Sequence, residues 1–136
     1  MKALRPMDIP KPFARYSHGI ELSSEGRIVR VSGQLGINTT NVVPSDAFQQ
    51  AQICFGNIKA VLSEANMVPQ NVFHLTGYVT DRKHMAGYMR ARDDFLRAAS
   101  EDSLPTSTLL VVFGFTRPEF LVEVEAWAHA PLDNRD

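Results

Sequence analysis

Hydrophobic and polar residues alternate in two early segments of the chain, His18 to Ser23 and Arg27 to Gly33. Alternation with a period of two is typical of half-buried strands. The intervening Ser24 to Gly26 is a short polar connection that ends in glycine, so the two segments together predict a β-hairpin. Ahead of them, the prolines between Pro6 and Pro12 indicate an extended arm.

Two longer segments repeat their apolar residues every three or four positions, as the buried face of a helix does. The first runs from Asp46, the expected N-cap, to Ala65, and Asn66 suits a left-handed cap at its C-terminus. The second begins after another candidate cap, Asp81, and continues to about Ala99. These spacings predict two amphipathic helices.

Three further strands are predicted: Val72 to Thr80, Thr108 to Phe115 and Phe120 to Ala130. The last two are joined by a short turn segment, which favours antiparallel neighbours. The complete order, ββαβαββ, predicts an α+β fold with both helices on one face of the sheet. The opposite face would stay exposed in so small a chain, so we expect another subunit to cover it.

The length of 136 residues fits a single domain spanning residues 1–136. A net charge of -1 provides no broad basic surface for nucleic acid or an anionic membrane. The apolar runs are far shorter than the roughly 20 residues that cross a bilayer, and the N-terminus lacks the apolar core of a signal peptide. These patterns predict a cytoplasmic protein with neither a membrane nor a nucleic acid as its partner.

The sequence lacks the short motifs of phosphate binding, dinucleotide binding, α/β-hydrolases and zinc proteases. Cys54 is the single cysteine and falls in the first helix pattern, which favours a small buried hydrophobe over a nucleophile. The 4 histidines are scattered, so exposed or hydrogen-bonded roles are favoured over a metal site. We therefore predict no metal.

The last strand carries candidate chemistry. Alternation places Glu123, Glu125 and Trp127 on one face of it, and Val122 and Val124 on the other. A carboxylate partly enclosed by apolar groups can have a raised pKa and exchange protons with substrate or water near neutral pH. The strand alone leaves open the alternative that both carboxylates simply face solvent.

Several segments of the chain occur in the order in which one known family carries them. Together they resemble the RidA or YjgF family, whose pattern is similar to PYS…G, VSGQ, LxNxxAxL, a strand ending in Asp, PAR and EIEAIA. The resemblance extends over nearly the whole chain. The segments are Ala14 to Ile20, Arg30 to Ile37, Phe55 to Asn66, Thr76 to Asp81, Ser103 to Thr108 and Val122 to Ala128.

This resemblance implies the fold of bacterial chorismate mutase: a six-stranded mixed sheet with two helices on one face, assembled as a homotrimer with ligand clefts between subunits. It also implies hydrolysis of small imines or enamines to an oxo acid and ammonia, without a cofactor. In such a cleft an arginine binds the substrate carboxylate, a tyrosine orients the substrate, and a glutamate positions or deprotonates the attacking water. The glutamate matches Glu123, the tyrosine matches Tyr16, and an SGQ turn matches Ser32, Gly33 and Gln34.

The chain departs from the family at the arginine of PAR, where it has Ser107. Removing one partner of a buried charge pair costs about 2 to 5 kcal/mol, although a serine hydroxyl can still donate and accept a hydrogen bond. A cleft asparagine of the family matches Met89. Arg15, or Arg92 on the second helix, could supply the missing positive charge, and a surface position is the alternative for each.

Three function classes follow from these observations. The first is a cofactor-free deaminase of a small imine or enamine, with a ligand preference altered by Ser107. The second is a non-catalytic protein that binds a small metabolite in the same cleft, for example as a regulator. The third is an endoribonuclease, as some family members are described, but the near-neutral charge of the chain does not favour it.

Overall fold

The computed structural model describes residues 1–132, in which six strands and two helices follow one another in the order βββαβαββ. These elements are β1 (Lys2–Leu4), β2 (Gly19–Glu21), β3 (Arg27–Leu35), α1 (Ala47–Glu64), β4 (Val72–Val79), α2 (Met85–Phe95), β5 (Thr106–Val111) and β6 (Val122–Ala130). Short 3₁₀ turns lie directly before β4 and α2, and a third lies shortly before β5.

Four of the strands form a mixed sheet in the order β3-β6-β4-β5. β6 is antiparallel to both of its neighbours, whereas β5 is parallel to β4. β1 and β2 form a separate antiparallel pair. The α+β class is therefore confirmed, but the six strands are divided between two sheets instead of one. The first strand was not predicted, because three residues are too few to show a period.

Two expected strand pairings are wrong. Within residues 1–132, β2 pairs with β1 and not with β3, so Ser24 to Gly26 does not close a hairpin. β4 lies between β5 and β6, which are not neighbours, and β5 ends at Val111 instead of Phe115. The physical reason is the helix between β4 and β5, which permits a parallel crossover. Residues 112–121 then carry the chain past β4 to the far side of that strand.

Helix α1 has the predicted bounds. Asp46 caps it by accepting a hydrogen bond from the Phe48 N–H at 3.0 Å. Asn66, just beyond its C-terminus, has a φ of 54°. That left-handed conformation suits asparagine better than most residues.

Helix α2 is shorter than predicted. Asp81 caps the preceding 3₁₀ turn instead of the helix itself, and α2 ends at Phe95. Leu96 and Ala99 continue the apolar period although they lie outside the helix. Both are buried because the chain continues beyond the helix in a tighter turn, in which the Ala99 N–H donates to the Leu96 carbonyl at 2.9 Å.

The hydrophobic core lies between the two helices and one face of the four-stranded sheet. Gly77 in β4 gives the ring of Tyr88 in α2 its space, since a Cβ at that glycine would lie 2.4 Å from Tyr88 Cζ. β6 adds four fully buried side chains, Val122, Val124, Ala126 and Ala128. We call the opposite side of this sheet, which carries Leu110 and Trp127, the open face.

Candidate functional site

Glu123 lies on β6 beside an irregular part of β3. The register between these strands shifts between Val31 and Gln34, and Gly33 falls within the shift. A Cβ at Gly33 would lie 2.1 Å from Glu123 Oε1, so the missing side chain makes room for the carboxylate. The predicted SGQ turn is therefore wrong, because Ser32, Gly33 and Gln34 are an irregular part of strand β3, within which the Gln34 side-chain amide donates to the Ser32 carbonyl at 2.9 Å. The structure thus brings together four of the predicted site residues, Ser32, Gly33, Gln34 and Glu123.

The two carboxylates of β6 have opposite electrostatic environments. Glu125 accepts hydrogen bonds from the Tyr78 hydroxyl at 2.6 Å and from Arg30 Nη2 at 2.5 Å. Both bonds lower the pKa of Glu125, and the bond from Tyr78 has the larger effect. Burial raises the pKa of Glu123, and the nearby negative charge of Glu125 raises it further by a smaller amount. Environments that push two carboxyl pKa values apart are typical of acid–base sites. Glu123 is therefore the better proton acceptor of the pair near neutral pH.

Arg30 and Tyr78 were missed by the sequence analysis. Arg30 also lies over the Trp127 ring, with 5.0 Å between the guanidinium carbon and the ring centroid. Their positions on β3 and β4 gave one local signal, the strand alternation that puts them on the open face. Their contact with Glu125 depends on the pairing of three strands that are distant in sequence.

The N-terminal arm forms a second group of candidate residues. Tyr16 and Arg15 line a cavity of about 410 Å³ together with Lys11, His18, Glu101 and Leu104. Arg15 is held by Glu101, with 3.4 Å between Nε and Oε1. The Ser17 N–H donates to the Pro105 carbonyl at 2.9 Å, which joins the arm to the start of β5.

Ser107 on β5 lies in a third group, beneath α2. Arg92 is only 3% exposed, and its Nη1 donates to Ser107 Oγ at 3.5 Å. Its Nε and Nη2 donate to Asp93 Oδ1 at 3.4 and 3.3 Å. Met89 packs against the edge of the core. The sequence did carry a signal for Arg92, because it lies four residues from both Tyr88 and Leu96 on the apolar stripe of the helix.

Within one chain these groups do not form a single cleft. Glu123 pairs with Tyr78 of β4, and Ser107 pairs with Leu75 of the same strand. Tyr78 and Leu75 are an odd number of residues apart, so they point to opposite faces of the sheet. Glu123 is on the open face, whereas Ser107 is on the helix face with Leu75, and β4 separates them.

The other sequence predictions concern groups outside these clusters. Cys54 is buried and its pKa is raised to about 12, chiefly by burial, which fits the predicted role as a small hydrophobe. Residues 1–132 contain no group of three or more His, Cys, Asp or Glu side chains that could hold a metal ion. In the same range, no helix combines the length and the apolar character that a membrane span requires.

Comparison with known proteins gives one consistent family. A sequence model of the family described as endoribonuclease L-PSP matches residues 7–130. A RutC family protein of Pyrococcus abyssi is 29% identical over 122 residues, which are 88% of this chain and 90% of the relative.

Solved structures of similar proteins share the fold. A protein of the conserved Rid family from Yersinia pestis, YyfB, superposes with a TM-score of 0.82 at 25% identity, covering 94% of this chain and 97% of its own. The YjgF gene product of E. coli superposes with a TM-score of 0.69 at 24% identity, covering 95% and 98% of the two chains. The chain therefore belongs to the endoribonuclease L-PSP family, which is the RidA or YjgF family that its sequence segments resemble.

Proposed function

We propose that this protein hydrolyses a small imine or enamine, with Glu123 as the base that positions and deprotonates the attacking water. The observation that carries the proposal is the different environment of the two carboxylates on β6. Glu125 is engaged by Arg30 and Tyr78, while Glu123 faces the space left by Gly33 and has a raised pKa. A partly buried carboxylate with a raised pKa suits general-base catalysis.

The reaction needs no cofactor. The water oxygen attacks the carbon of the C=N bond, and its proton passes to the Glu123 carboxylate. The same carboxyl group gives this proton to nitrogen, which completes a carbinolamine, C(OH)NH2. The carboxylate then takes the hydroxyl proton and passes it to nitrogen, so the C–N bond breaks, ammonia leaves and the C=O bond forms. An enamine first takes a proton on carbon and then follows the same course as an imine.

The position of Glu123 supports a cleft between subunits. It lies on the open face, which also exposes Leu110 and Trp127, and large apolar groups of this kind are usually covered in an assembly. Tyr16 and Ser107 lie near Pro105, at the edge of the sheet that β5 forms. A homotrimer that places this edge of one subunit against the open face of the next would bring the groups together.

A second candidate function is binding of a small metabolite without turnover. It is favoured by one observation, the serine at position 107 where the family pattern has arginine. An endoribonuclease activity has less support, because the chain has a net charge of -1 and the Glu123 site is itself acidic.

The test measures imine decay directly. An amino-acid oxidase generates 2-iminopropanoate and bulkier imino acids in situ, and a chemically prepared imine without a carboxylate serves as a further substrate. Wild type should accelerate decay of at least one imine, and Glu123→Gln should lower that rate by about 10²- to 10⁴-fold. Glu64→Gln, an exposed change on α1, is the matched control and should retain full activity. If every imine decayed at the uncatalysed rate, the deaminase would be rejected and binding without turnover would be favoured.

A further inference from the structure

We propose that Arg92 and Ser107 act together as the carboxylate-recognition group of this protein. Arg92 donates to the Ser107 oxygen from the core side, and the Ser107 hydroxyl directs its own proton at the ligand carboxylate. The inference rests on the proposed function in one respect: the cleft at β5 must bind a small ligand. It places the positive charge on α2 instead of on β5.

The burial of Arg92 is the first argument. A guanidinium that is 3% exposed normally has close, well-aligned partners, because an unpaired buried charge is very costly. Here its three hydrogen bonds are 3.3 to 3.5 Å long, at the weak end of the range. Its acidic partner Asp93 has a side chain that is 44% exposed, so water weakens the ion pair. Arg92 therefore keeps unused donor capacity and positive potential next to Ser107.

The second argument is another buried polar group at the same place. In the described part of the chain, the Tyr88 hydroxyl makes no hydrogen bond of normal geometry, although Ser107 lies near it. Burial raises the pKa of Tyr88 to about 12, while Arg92 and then Ser107 act in the opposite direction. Two incompletely partnered groups, the Tyr88 hydroxyl and the Arg92 guanidinium, thus adjoin the same serine. Buried polar groups left in this way call for an explanation. When the Ser107 proton goes to a ligand anion, the Ser107 oxygen can accept a hydrogen bond from the Tyr88 hydroxyl as well as from Arg92.

The third argument is the hydrogen-bonding capacity of Ser107. A serine hydroxyl has one donor and can accept two bonds. Its oxygen accepts from Arg92 Nη1, and its single proton can be donated to the neighbouring Tyr88 oxygen or, when a ligand is bound, to the ligand carboxylate. Ser107 is half-buried on β5, which is the edge strand of the four-stranded sheet, so a small molecule can approach it from the side. The guanidinium behind the oxygen strengthens the hydroxyl as a donor.

This arrangement has a consequence for specificity. An arginine on β5 would grip a carboxylate with two parallel bonds, whereas a polarised hydroxyl offers one. The protein should therefore prefer carboxylates to amides, but with a smaller ratio of affinities than a two-bond arginine clamp gives. The protein should also bind ligands that present a neutral group to the Ser107 hydroxyl.

The test compares pyruvate with its amide, pyruvamide, as binding probes in calorimetric or NMR titrations of the whole protein. Wild type should bind pyruvate more tightly, and Ser107→Ala should lower the affinity for pyruvate by about ten- to a hundredfold while changing that for pyruvamide little. Arg92→Gln should act in the same direction. Asp93→Asn should raise pyruvate affinity severalfold, because it removes the charge that partly neutralises Arg92.

Two neighbouring changes on α2 are matched controls. Arg90→Gln and Asp94→Asn alter the same charges at sites that are exposed, and should leave the ratio of the two affinities unchanged. Ser107→Ala and Asp93→Asn keep Arg92 in place, so the inference can be tested even if Arg92→Gln does not fold. The inference would be overturned if Ser107→Ala and Asp93→Asn left the ratio of pyruvate to pyruvamide affinity unchanged, or if wild type bound neither probe.

The binding readout separates this inference from the proposed function. Carboxylate preference that depends on Asp93 and Ser107, in a protein that turns over no imine, would support the recognition group and reject the deaminase. Turnover that depends on Glu123, with a preference indifferent to Asp93 and Ser107, would do the reverse.

Discussion

At Gly33, the absence of a side chain decides where the Glu123 carboxylate can lie. The strand register brings the two residues together, and a Cβ would occupy the position of Glu123 Oε1. The family resemblance of the sequence predicts both residues in one site. The contact itself gives the physical reason for a glycine there.

We predict that Gly33→Ala lowers imine turnover strongly with little change in stability. The new methyl group must displace the carboxylate, the flexible end of a side chain, and a misplacement of about 1 Å can cost about 10²-fold in rate. Steady-state rates and denaturant midpoints measure the two effects. An equal loss of activity in Glu64→Gln, or a rate unchanged by Gly33→Ala, would contradict this role of the glycine.

The raised pKa of Glu123 predicts the pH dependence of turnover. The base must be ionised, so the rate should fall as the pH drops through its pKa, which lies above that of an ordinary glutamate. Glu125→Gln removes a nearby negative charge, lowers the pKa of Glu123 and should move this acid limb to lower pH. Glu119→Gln, which affects a surface pair with Arg117, should leave the limb in place. A limb that moves upward in Glu125→Gln would exclude Glu123 as the titrating base.

At the scale of elements, the contact between β4 and α2 fixes the depth at which the helix lies on the sheet. The Tyr88 ring is fully buried against Gly77, and the same helix carries Arg92 to Ser107. The position of the proposed recognition group, Arg92 on α2 and Ser107 on β5, therefore depends on Gly77 in β4.

We predict that Gly77→Ala destabilises the protein by about 1 to 3 kcal/mol through overpacking, because the buried ring cannot move aside. Combining it with Tyr88→Leu should restore part of the loss by making room for the methyl group. Gly56→Ala is the control: a Cβ there meets nothing within 4 Å, and alanine should stabilise α1 by about 0.5 to 1 kcal/mol. Urea unfolding at one fixed protein concentration measures all four proteins. A neutral Gly77→Ala would show that α2 can shift.

At the scale of the whole molecule, the open face carries the groups on which the proposed function depends. It carries Glu123 and the Arg30–Glu125–Tyr78 cluster, and it exposes Leu110 and Trp127. One chain therefore presents the proposed base on one face of the sheet and the proposed recognition group at the edge formed by β5. Association would complete the site and cover the apolar groups together.

We predict a homotrimer that is lost in Leu110→Glu. Wild type should have about three times the mass of one chain by light scattering, and a charge on the 46% exposed Leu110 should give monomers with little imine turnover. Val61→Glu, on the outer side of α1 where Val61 is 39% exposed, introduces the same charge and should keep the trimer. A wild-type monomer with full activity would exclude a cleft between subunits.

The sequence by itself determined the features that depend on local period and on caps. The bounds of α1, with Asp46 and Asn66 at its ends, and the two faces of β6 follow from spacing within a few residues of each other. Only the tertiary structure decided that β4 separates β5 from β6, that Gly33 adjoins Glu123, and that Arg92 reaches Ser107. These contacts join residues far apart in the chain, so they depend on how whole elements pack, and a local pattern is compatible with more than one such packing.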